Sequence, residues 1–457
     1  MSDPIDRAIA ARRERYLDEL RELCAIPSEA QYPAELERAA QWCADRLRAA
    51  GCAVRDVRID AAAPLVVGEC GALRAQGSLG PRTLLAVQHY DVQPAVPLEL
   101  WTTPPYEPAV RDGAVYARGV SDNKGQLLLR IQAVEVHREL FGELPLRLRF
   151  LIEGEEESTS ANLERLLARD PSLVDADGAL KEGGGIDAAG RPQLILGSKG
   201  IYYCELRVRS MARDAHSSAA THLPNAAWRI VAALRTLVGD DGRVRIDGFY
   251  DRVRRPTESE RRHVLATPFE AATTKRTYEI DRFAFGRDDE AANLASQFEP
   301  TCNICGVWSG YTGPRSKTVT PSEAAAKLDF RLVVDQDPAE IHRLLRAHLD
   351  RHGFGDVEIA WWDGERPYRG PLDDPLVRAA RAAQEEAFGT DAIVLLTSLG
   401  TAPMWAVSHR RNLANVTLGC AHHDSRAHAP DENIRLDNYW RAMRAAVRLY
   451  SLYASQP

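Results

Sequence analysis

The sequence lacks two features that would each define a class of protein. It has no uninterrupted apolar run of about eighteen residues, the length that a membrane-spanning helix requires. It also has no excess of positive charge, because 58 Lys and Arg residues stand against 65 Asp and Glu residues, for a formal net charge of −7. Nucleic-acid-binding proteins typically carry a basic surface patch. We therefore predict that neither a membrane nor a nucleic acid is a partner of this chain.

Cysteine is also sparse, with 8 residues scattered among 457. The amino-terminal stretch has the charge pattern of an amphipathic helix rather than of a secretory signal. Both features favour reduced thiols and a cytoplasmic location over a disulfide framework. Cys302 and Cys305 form a lone C-x-x-C without a second pair. We therefore predict packing residues there and no zinc ribbon.

The length of the chain indicates two or three domains, and its hydrophobic content of 45% is ordinary for a globular protein. Strands and helices alternate up to about Ser198, which is typical of an α/β domain with a mainly parallel sheet and helices on both faces. Residues 200–210 and 325–334 instead alternate like antiparallel strands with one exposed face. Because the α/β pattern returns near the carboxyl end, we predict one α/β domain interrupted by an inserted α+β domain. The predicted boundaries are residues 1–199, 200–366 and 367–457.

Apolar periodicity and breaking residues predict most element boundaries. The pair Asp112 and Gly113 predicts a β-hairpin turn. Residues 83–88 are almost wholly apolar, which predicts a strand buried on both faces. The first predicted helix ends near residue 23. Further helices are predicted at residues 34–50, 125–140, 161–168, 225–237, 338–350, 375–388 and 436–453. The other predicted strands cover residues 53–59, 65–69, 146–152, 178–181, 392–396 and 413–418.

Three adjacent glutamates, Glu155, Glu156 and Glu157, follow a predicted strand and Gly154. Their charges repel one another unless a cation lies nearby. A solvated helix start is the ordinary alternative, because carboxylates favour a helix amino terminus. Other acidic and imidazole side chains also follow predicted strands, at the sheet edge where α/β proteins form their sites. The candidate ligands and their neighbours are His89, Asp91, Asp122, Glu156, Glu157, Glu182 and His428.

Six short motifs occur in order along the chain: HYD (89–91), GVSDNKG (119–125), EGEEESTS (153–160), KEGG (181–184), DAHSS (214–218) and AHAPDENI (427–434). With them the sequence resembles, over essentially its whole length, the dinuclear zinc amidohydrolases. This family includes carnosinase-type dipeptidases, aminoacylase, acetylornithine deacetylase and succinyl-diaminopimelate desuccinylase. NICGVWSGYTG (303–313) and KTVTP (317–321) are similar to the carnosinase branch. The chain departs from the family pattern at 216–218, where HSS replaces HSG, and at 399–403, where LGTAP replaces GGSIP.

The resemblance implies two metal ions that Asp122 bridges. His89 and Glu182 would complete one site, and Glu157 and His428 would complete the other. Carboxylate oxygens mixed with imidazole nitrogens suit zinc, with manganese or cobalt as alternatives. Two such ions together activate a water for attack.

The resemblance also implies how protons are handled. Glu156 would be the general base, which takes the proton of the water and passes it to the leaving amine. A ligating carboxylate cannot do this, so the adjacent glutamates would divide the work. Asp91 would accept a hydrogen bond from His89 and fix its tautomer. The family pattern further implies a cis peptide bond between Asp122 and Asn123.

In the family, the inserted domain is a lid and dimerisation domain. His216 would reach the active site of the partner subunit and stabilise the oxyanion there; the alternative is an ordinary surface histidine. Arg331 matches an arginine that would clamp the carboxylate of the substrate. Its alternative is an exposed strand residue paired with a neighbouring acid. Thr318, Thr401 and Asn225 are further candidates for the same pocket.

We therefore predict an enzyme that hydrolyses the amide bond of a dipeptide with a free carboxyl end, acting as a homodimer. The alternative within the same chemistry is deacylation of N-acetyl or N-succinyl amino acids, which the altered segment around Thr401 keeps open. A remote alternative is a non-catalytic metal-binding protein. That alternative predicts a missing ligand or base, whereas all of these residues occur in the sequence.

Overall fold

A computed structural model of the chain describes residues 3–58, 62–71 and 81–456. Within them the chain forms two compact units. The first unit consists of Met1–Gly197, Gly370–Leu396 and Pro403–Pro457, and the second of Ser198–Arg369 and Thr397–Ala402. The second unit is thus inserted into the sequence of the first. The segment Thr397–Ala402 belongs to the second unit, although the predicted boundaries assign it to the α/β domain.

The helices of the described residues, in chain order, are α1 (Pro4–Ala10), α2 (Arg13–Cys24), α3 (Pro33–Ala49), α4 (Gly125–Phe141), α5 (Ala161–Arg169), α6 (Ala226–Arg235), α7 (Glu258–Ala266), α8 (Ala271–Thr277), α9 (Asp289–Phe298), α10 (Pro338–Arg351), α11 (Pro375–Phe388), α12 (Met404–Ser408) and α13 (Leu436–Ala454). Proline begins α1, α3, α10 and α11, where its missing N–H costs nothing. Aspartate side chains cap α1, α10 and α11 at their amino ends. No helix within the described ranges is long and apolar enough to cross a membrane.

The strands of the described residues are β1 (Ala53–Val57), β2 (Leu65–Gly71), β3 (Thr83–His89), β4 (Ala109–Arg111), β5 (Ala114–Tyr116), β6 (Arg147–Glu153), β7 (Gly178–Lys181), β8 (Gly185–Ile186), β9 (Gln193–Ile195), β10 (Gly197–Ser198), β11 (Gly200–Arg209), β12 (Ala215–His216), β13 (Asn303–Ser309), β14 (Val319–Thr320), β15 (Glu323–Leu332), β16 (Glu358–Glu365), β17 (Tyr368–Arg369), β18 (Ile393–Leu395), β19 (Asn415–Thr417), β20 (Ala421–His422) and β21 (Asn433–Arg435). Asp112 and Gly113 form the turn of the predicted hairpin between β4 and β5, both with positive φ.

The first unit is built on a six-stranded sheet with the order β1-β2-β6-β3-β7-β19. The pairs β6–β3, β3–β7 and β7–β19 are parallel. The pairs β1–β2 and β2–β6 are antiparallel. The predicted α/β class is confirmed, and the sheet is mixed, with its antiparallel pairs at one edge.

Helices cover both faces of this sheet. On one face, Leu85 of β3 belongs to the same buried cluster as Leu163 of α5. On the other face, Gly178 lies directly against side chains of α11 and α13, Leu376 and Tyr453. All residues of β3 are buried, as its unbroken apolar run predicts.

The second unit contains an antiparallel sheet with the order β13-β15-β11-β16. Along β11, Tyr202, Cys204 and Leu206 are buried in a core that also includes apolar residues of α6 and α10. Arg207 and Arg209 of the same strand are exposed. The predicted exposed face is therefore present only at the end of β11, because Glu205 and nearly all of β15 are buried or half-buried.

Two expectations are corrected by the structure. The first predicted helix is broken, because α1 ends at Ala10 and Arg12 takes non-helical angles of φ −118° and ψ 1° before α2 begins. Cys305 is exposed rather than packed, because it lies on the edge strand β13. Its Sγ donates a hydrogen bond to Asp329 Oδ1 at 3.2 Å. The predicted strand end at Ile59 lies outside the described residues.

Candidate metal centre

Three of the predicted ligands lie at one edge of the first unit's sheet. His89 is the last residue of β3, and Glu182 directly follows β7. Glu157 lies in a short 3₁₀ turn, Glu156–Ser158, that follows β6. These strands are parallel neighbours, so their carboxyl ends meet. The sheet thus brings together side chains that are far apart in the sequence.

Asp122 lies between two imidazole rings. Its Oδ1 is 3.2 Å from Nε2 of His89, and its Oδ2 is 3.2 Å from Nε2 of His428. The same nitrogen of His428 is 3.2 Å from Oε2 of Glu157. Ligand atoms of His89, Asp122 and Glu157 all lie within 4.8 Å of one another. One carboxylate therefore faces two separate nitrogen donors, which is the arrangement expected of a bridging ligand.

Glu182 lies near His89, with its Oε2 3.8 Å from His89 Nε2. Its other oxygen, Oε1, contacts the ammonium group of the buried Lys181. Each oxygen of Asp122 therefore faces an imidazole that has one further carboxylate beside it, Glu182 or Glu157.

The side chains of this cluster fit a metal site. Glu157 Oε1 and Glu182 Oε2 are buried and have no hydrogen-bond partner in the part of the chain that the structure describes. A buried oxygen without a partner is costly, and a cation would satisfy it. The donor set of carboxylate oxygens and imidazole nitrogens matches the preferences of zinc and also of manganese and cobalt.

The charges of the cluster shift one another's pKa values. Hydrogen bonds to Asp122 and to Glu157 raise the pKa of His428 to about 10. Burial acts to lower the pKa of His89, but hydrogen bonds to Asp122 and Asp91 raise it well above its ordinary value. Burial acts to raise the pKa of Asp122, but the two histidines hold it below its ordinary value. Both shifts favour the protonated rings in the metal-free protein, so a metal ion that binds these nitrogens must displace a proton.

Asp91 connects His89 to the glutamate turn. Its Oδ1 is 3.3 Å from Nδ1 of His89. Its two oxygens also accept hydrogen bonds from the backbone N–H groups of Glu156 and Glu157, at 3.3 and 2.9 Å. Burial, followed by the charge of Glu182, raises the pKa of Glu156 well above its ordinary value. A carboxylate with a raised pKa is better matched to accepting a proton near neutral pH.

The loop that carries Asp122 contains the cis peptide bond Asp122–Asn123 that the resemblance implies. The amide of Asn123 donates a hydrogen bond to Gln88 Oε1 at 3.2 Å. Sequence reasoning missed a further carboxylate at this loop, the fully buried Glu432, which contacts backbone N–H groups on either side of Val120. The signal available was its place in AHAPDENI, four residues after His428.

Two more buried charged groups near the cluster were also missed. Lys181 is fully buried beside Glu182. Burial raises the pKa of Glu153, the last residue of β6, to about 8, and the charge of Lys181 opposes this rise. The positions of Lys181 and Glu153 at strand ends were visible in the sequence. Position alone does not separate a site residue from an acid or base that is paired in the core.

The remaining five predicted site residues lie in the second unit, where four of them form two pairs. Oγ1 of Thr318 is 3.2 Å from Nε2 of His216. Nη1 of Arg331 donates a hydrogen bond to Oγ1 of Thr401 at 2.8 Å. Asn225 caps α6, because its side-chain oxygen accepts hydrogen bonds from backbone N–H groups of the first turn. The oxygen of Asn225 therefore serves the helix.

The first unit thus combines an α/β sheet with acids and imidazoles gathered at the carboxyl ends of its strands. A carboxylate between two histidines at this edge of the sheet is the arrangement expected of a metal-dependent hydrolase. The family model described as peptidase family M20/M25/M40 matches residues 85–452. The chain belongs to this family and is a hydrolytic enzyme.

Individual relatives agree with this family assignment. The chain is 26% identical over 456 residues to the Beta-Ala-His dipeptidase of Rattus norvegicus, covering 94% of this chain and 91% of the relative. It is 25% identical over 412 residues to the Cys-Gly metallodipeptidase of Schizosaccharomyces pombe, covering 86% and 82%. The crystal structure of an M20 family metallo-carboxypeptidase from Sulfolobus solfataricus matches with a TM-score of 0.87 at 34% identity, covering 96% of this chain and 99% of that chain. The resemblance to the carnosinase-like branch is confirmed.

Proposed function

We propose that this enzyme hydrolyses the amide bond of dipeptides with a free carboxyl end, using two metal ions held by the first unit. The observation that carries the proposal is Asp122, which has one imidazole at each carboxylate oxygen. The relatives support the substrate class, because both the rat and the fission-yeast enzyme are named as dipeptidases. Zinc is the proposed metal, with manganese or cobalt as alternatives.

We assign the ligands as the pairing in the structure suggests. Asp122 would bridge the ions, with His89 and Glu182 at one ion and Glu157 and His428 at the other. Bound ions would polarise the carbonyl of the substrate and lower the pKa of the attacking water.

Glu156 would move the proton in this reaction. It would accept the proton of the attacking water and return it to the nitrogen of the leaving amine. Asp91 supports this role, because it holds the backbone of Glu156 and also faces the ring of His89. Asp91 thereby holds Glu156 beside the proposed ligands, while Glu156 itself would bind no metal ion.

Residues of the second unit would act on the substrate. Arg331, which donates to Thr401, would bind the carboxylate of the dipeptide through charge-assisted hydrogen bonds. His216, which faces Thr318, would stabilise the oxyanion in the site of a partner subunit, so that the working enzyme is a homodimer. Asn225 stays a candidate for the same substrate pocket.

A second candidate function is carboxypeptidase activity on longer peptides. It is favoured by the 34% identity to an enzyme named as a metallo-carboxypeptidase. Deacylation of N-acetyl or N-succinyl amino acids is a further alternative, because the segment 399–403 departs from the pattern of the family. Membership in a peptidase family argues against the non-catalytic metal-binding alternative.

A substrate panel separates these functions. The zinc-loaded enzyme is assayed on free dipeptides, on N-blocked dipeptides and on N-acetyl and N-succinyl amino acids. A dipeptidase cleaves only the first group, a carboxypeptidase also cleaves the second, and a deacylase prefers the third. The Glu156→Gln variant, purified in the same way, controls for contaminating peptidases. Metal binding without turnover of any group would overturn the proposed function.

A further inference from the structure

The loop that carries Asp122 is held by one side chain from near the end of the chain. Oε1 of Glu432 accepts hydrogen bonds from the backbone N–H groups of Ser121 and Asp122, at 2.8 and 2.9 Å. Oε2 accepts one from the backbone N–H of Gly119 at 2.9 Å and one from Nη1 of Arg118 at 2.7 Å. Both oxygens are thus fully engaged by groups of one short segment.

The charge of Glu432 is paired with that of Arg118. Both Glu432 and Arg118 have side chains that are only 1% exposed. Arg118 also donates to the backbone oxygen of Pro94 at 3.3 Å and lies over the ring of Trp101. A buried carboxylate is tolerated only when it is paired and hydrogen-bonded, and Glu432 meets both conditions.

The position of Glu432 itself is fixed by the sheet that follows it. Its backbone oxygen accepts a hydrogen bond from Ala117 at 3.1 Å, and the next residue begins β21, which pairs with β5. His428, a proposed ligand, lies four residues earlier in the same segment. One short stretch of chain therefore supplies a ligand and also holds the loop of the bridging ligand.

We propose that Glu432 is a positioning residue of the metal centre. Its carboxylate fixes the backbone from Gly119 to Asp122, so that the two oxygens of Asp122 face His89 and His428. Glu432 acts through Asp122 and is not itself a ligand. This inference rests on the proposed two-metal centre, because without bound ions there is no geometry for Glu432 to maintain.

The variant Glu432→Gln tests this role with almost no change of shape. An amide has only one acceptor oxygen. Its NH₂ group would therefore face N–H donors where one oxygen of Glu432 now accepts hydrogen bonds, and those bonds would be lost. Hydrogen-bonding partners of metal ligands typically contribute about 10–100-fold to metal affinity. We expect the affinity of the metal-free variant for Zn²⁺, measured by competition with a chelator, to fall by about that factor. Glu432→Asp keeps both acceptor oxygens and should recover part of the affinity.

Glu135→Gln is the matched control. Glu135 is a partly buried acid of α4 that pairs with Arg46 at 3.0 Å and with Arg15 at 2.7 Å, away from the metal-ligand loop. We expect this variant to lower the melting temperature of the metal-free and zinc-loaded protein equally. Glu432→Gln should instead reduce the rise in melting temperature that zinc produces, because this rise depends on the metal dissociation constant.

The outcomes distinguish failure of the positioning role from failure of the metal centre. If the wild-type protein binds zinc and Glu432→Gln binds it equally well, the positioning role is wrong and the metal centre stands. If Glu432→Gln lowers both melting temperatures equally, like the control, its role is only structural. If the wild-type protein binds no metal, both proposals fail. Should Glu432→Gln not fold, Glu432→Asp decides by the same two measurements.

Discussion

The carboxylate of Asp91 accepts a hydrogen bond of 2.9 Å from the backbone N–H of Glu157. The same side chain faces Nδ1 of His89 at 3.3 Å. Asp91 thus touches one proposed ligand of each ion, through the ring of one and the backbone of the other. Its expected task was only to orient the ring, and the structure adds a link between the two halves of the cluster.

Replacing Glu156 with Gln should abolish most turnover and leave the metal in place. General bases typically contribute about 10²–10⁴-fold to the rate. We therefore expect kcat to fall by that factor, with unchanged metal content, in steady-state assays combined with metal analysis. Glu164→Gln, at an exposed position of α5, is the control and should behave as the wild type. Undiminished kcat in Glu156→Gln would show that another group is the base.

Metal binding should release protons and become tighter as the pH rises. The pKa of His428 is raised to about 10 in the metal-free protein, and that of His89 is also raised. The protonated rings therefore stabilise the metal-free fold below about pH 6.5, and this contribution is lost as the pH rises towards about 10. Calorimetric zinc titrations in buffers of different ionisation enthalpy measure the released protons. Identical heats in all buffers at neutral pH would contradict the prediction.

Replacing Arg331 with Lys should weaken substrate binding more than catalysis. Hydrogen bonds to charged groups contribute about 1.5–3 kcal/mol, which corresponds to tenfold or more in affinity. We expect KM for dipeptides to rise by about tenfold while kcat stays near the wild-type value. Arg207→Lys, on the exposed face of β11, is the control. Dipeptide amides lack the carboxylate, so an equal effect on amides would exclude the clamp.

Mixing two inactive variants should restore activity if His216 serves the partner subunit. His216→Ala should lose about 10²–10³-fold in kcat, as expected for one oxyanion donor. In a mixed dimer with Glu156→Gln, one site would combine an intact Glu156 with an intact His216. The measurement is activity after joint refolding or exchange of the two variants.

Two outcomes would contradict this prediction. Persistent inactivity in mixtures that contain mixed dimers would place His216 in the site of its own chain. Sedimentation that shows only monomers at working concentration would remove the homodimer itself. Each variant refolded alone is the control for both measurements.

Local sequence signals predicted many of the helices and strands. The strand at 178–181 and the helix at 375–388 are observed at their predicted bounds, because apolar runs there are bounded by strong breaking residues. The break between α1 and α2 has no glycine or proline to announce it. The antiparallel pairing of β2 with β6 could not be predicted either, because alternation reveals faces and not partners.

The candidate site was likewise predictable from the sequence only in part. Motifs in sequence order indicated the seven ligands and neighbours that the structure brings together. Glu432 escaped notice because its partners are backbone N–H groups more than three hundred positions away, at Ser121 and Asp122. A backbone group leaves no mark in a sequence. The one available signal was the place of Glu432 in AHAPDENI, and that motif alone does not distinguish a buried carboxylate from a solvated surface acid.

The insertion of the second unit sets an order of events during synthesis on the ribosome. β19, which pairs with β7 and completes the first unit's sheet, is translated only after the whole second unit. The buried edge of β7 therefore stays open in the nascent chain while that stretch emerges. His428 leaves the ribosome later still, so the full set of proposed ligands first exists when translation is almost complete. Loading of the proposed metal ions would consequently be a late step in the biogenesis of this enzyme.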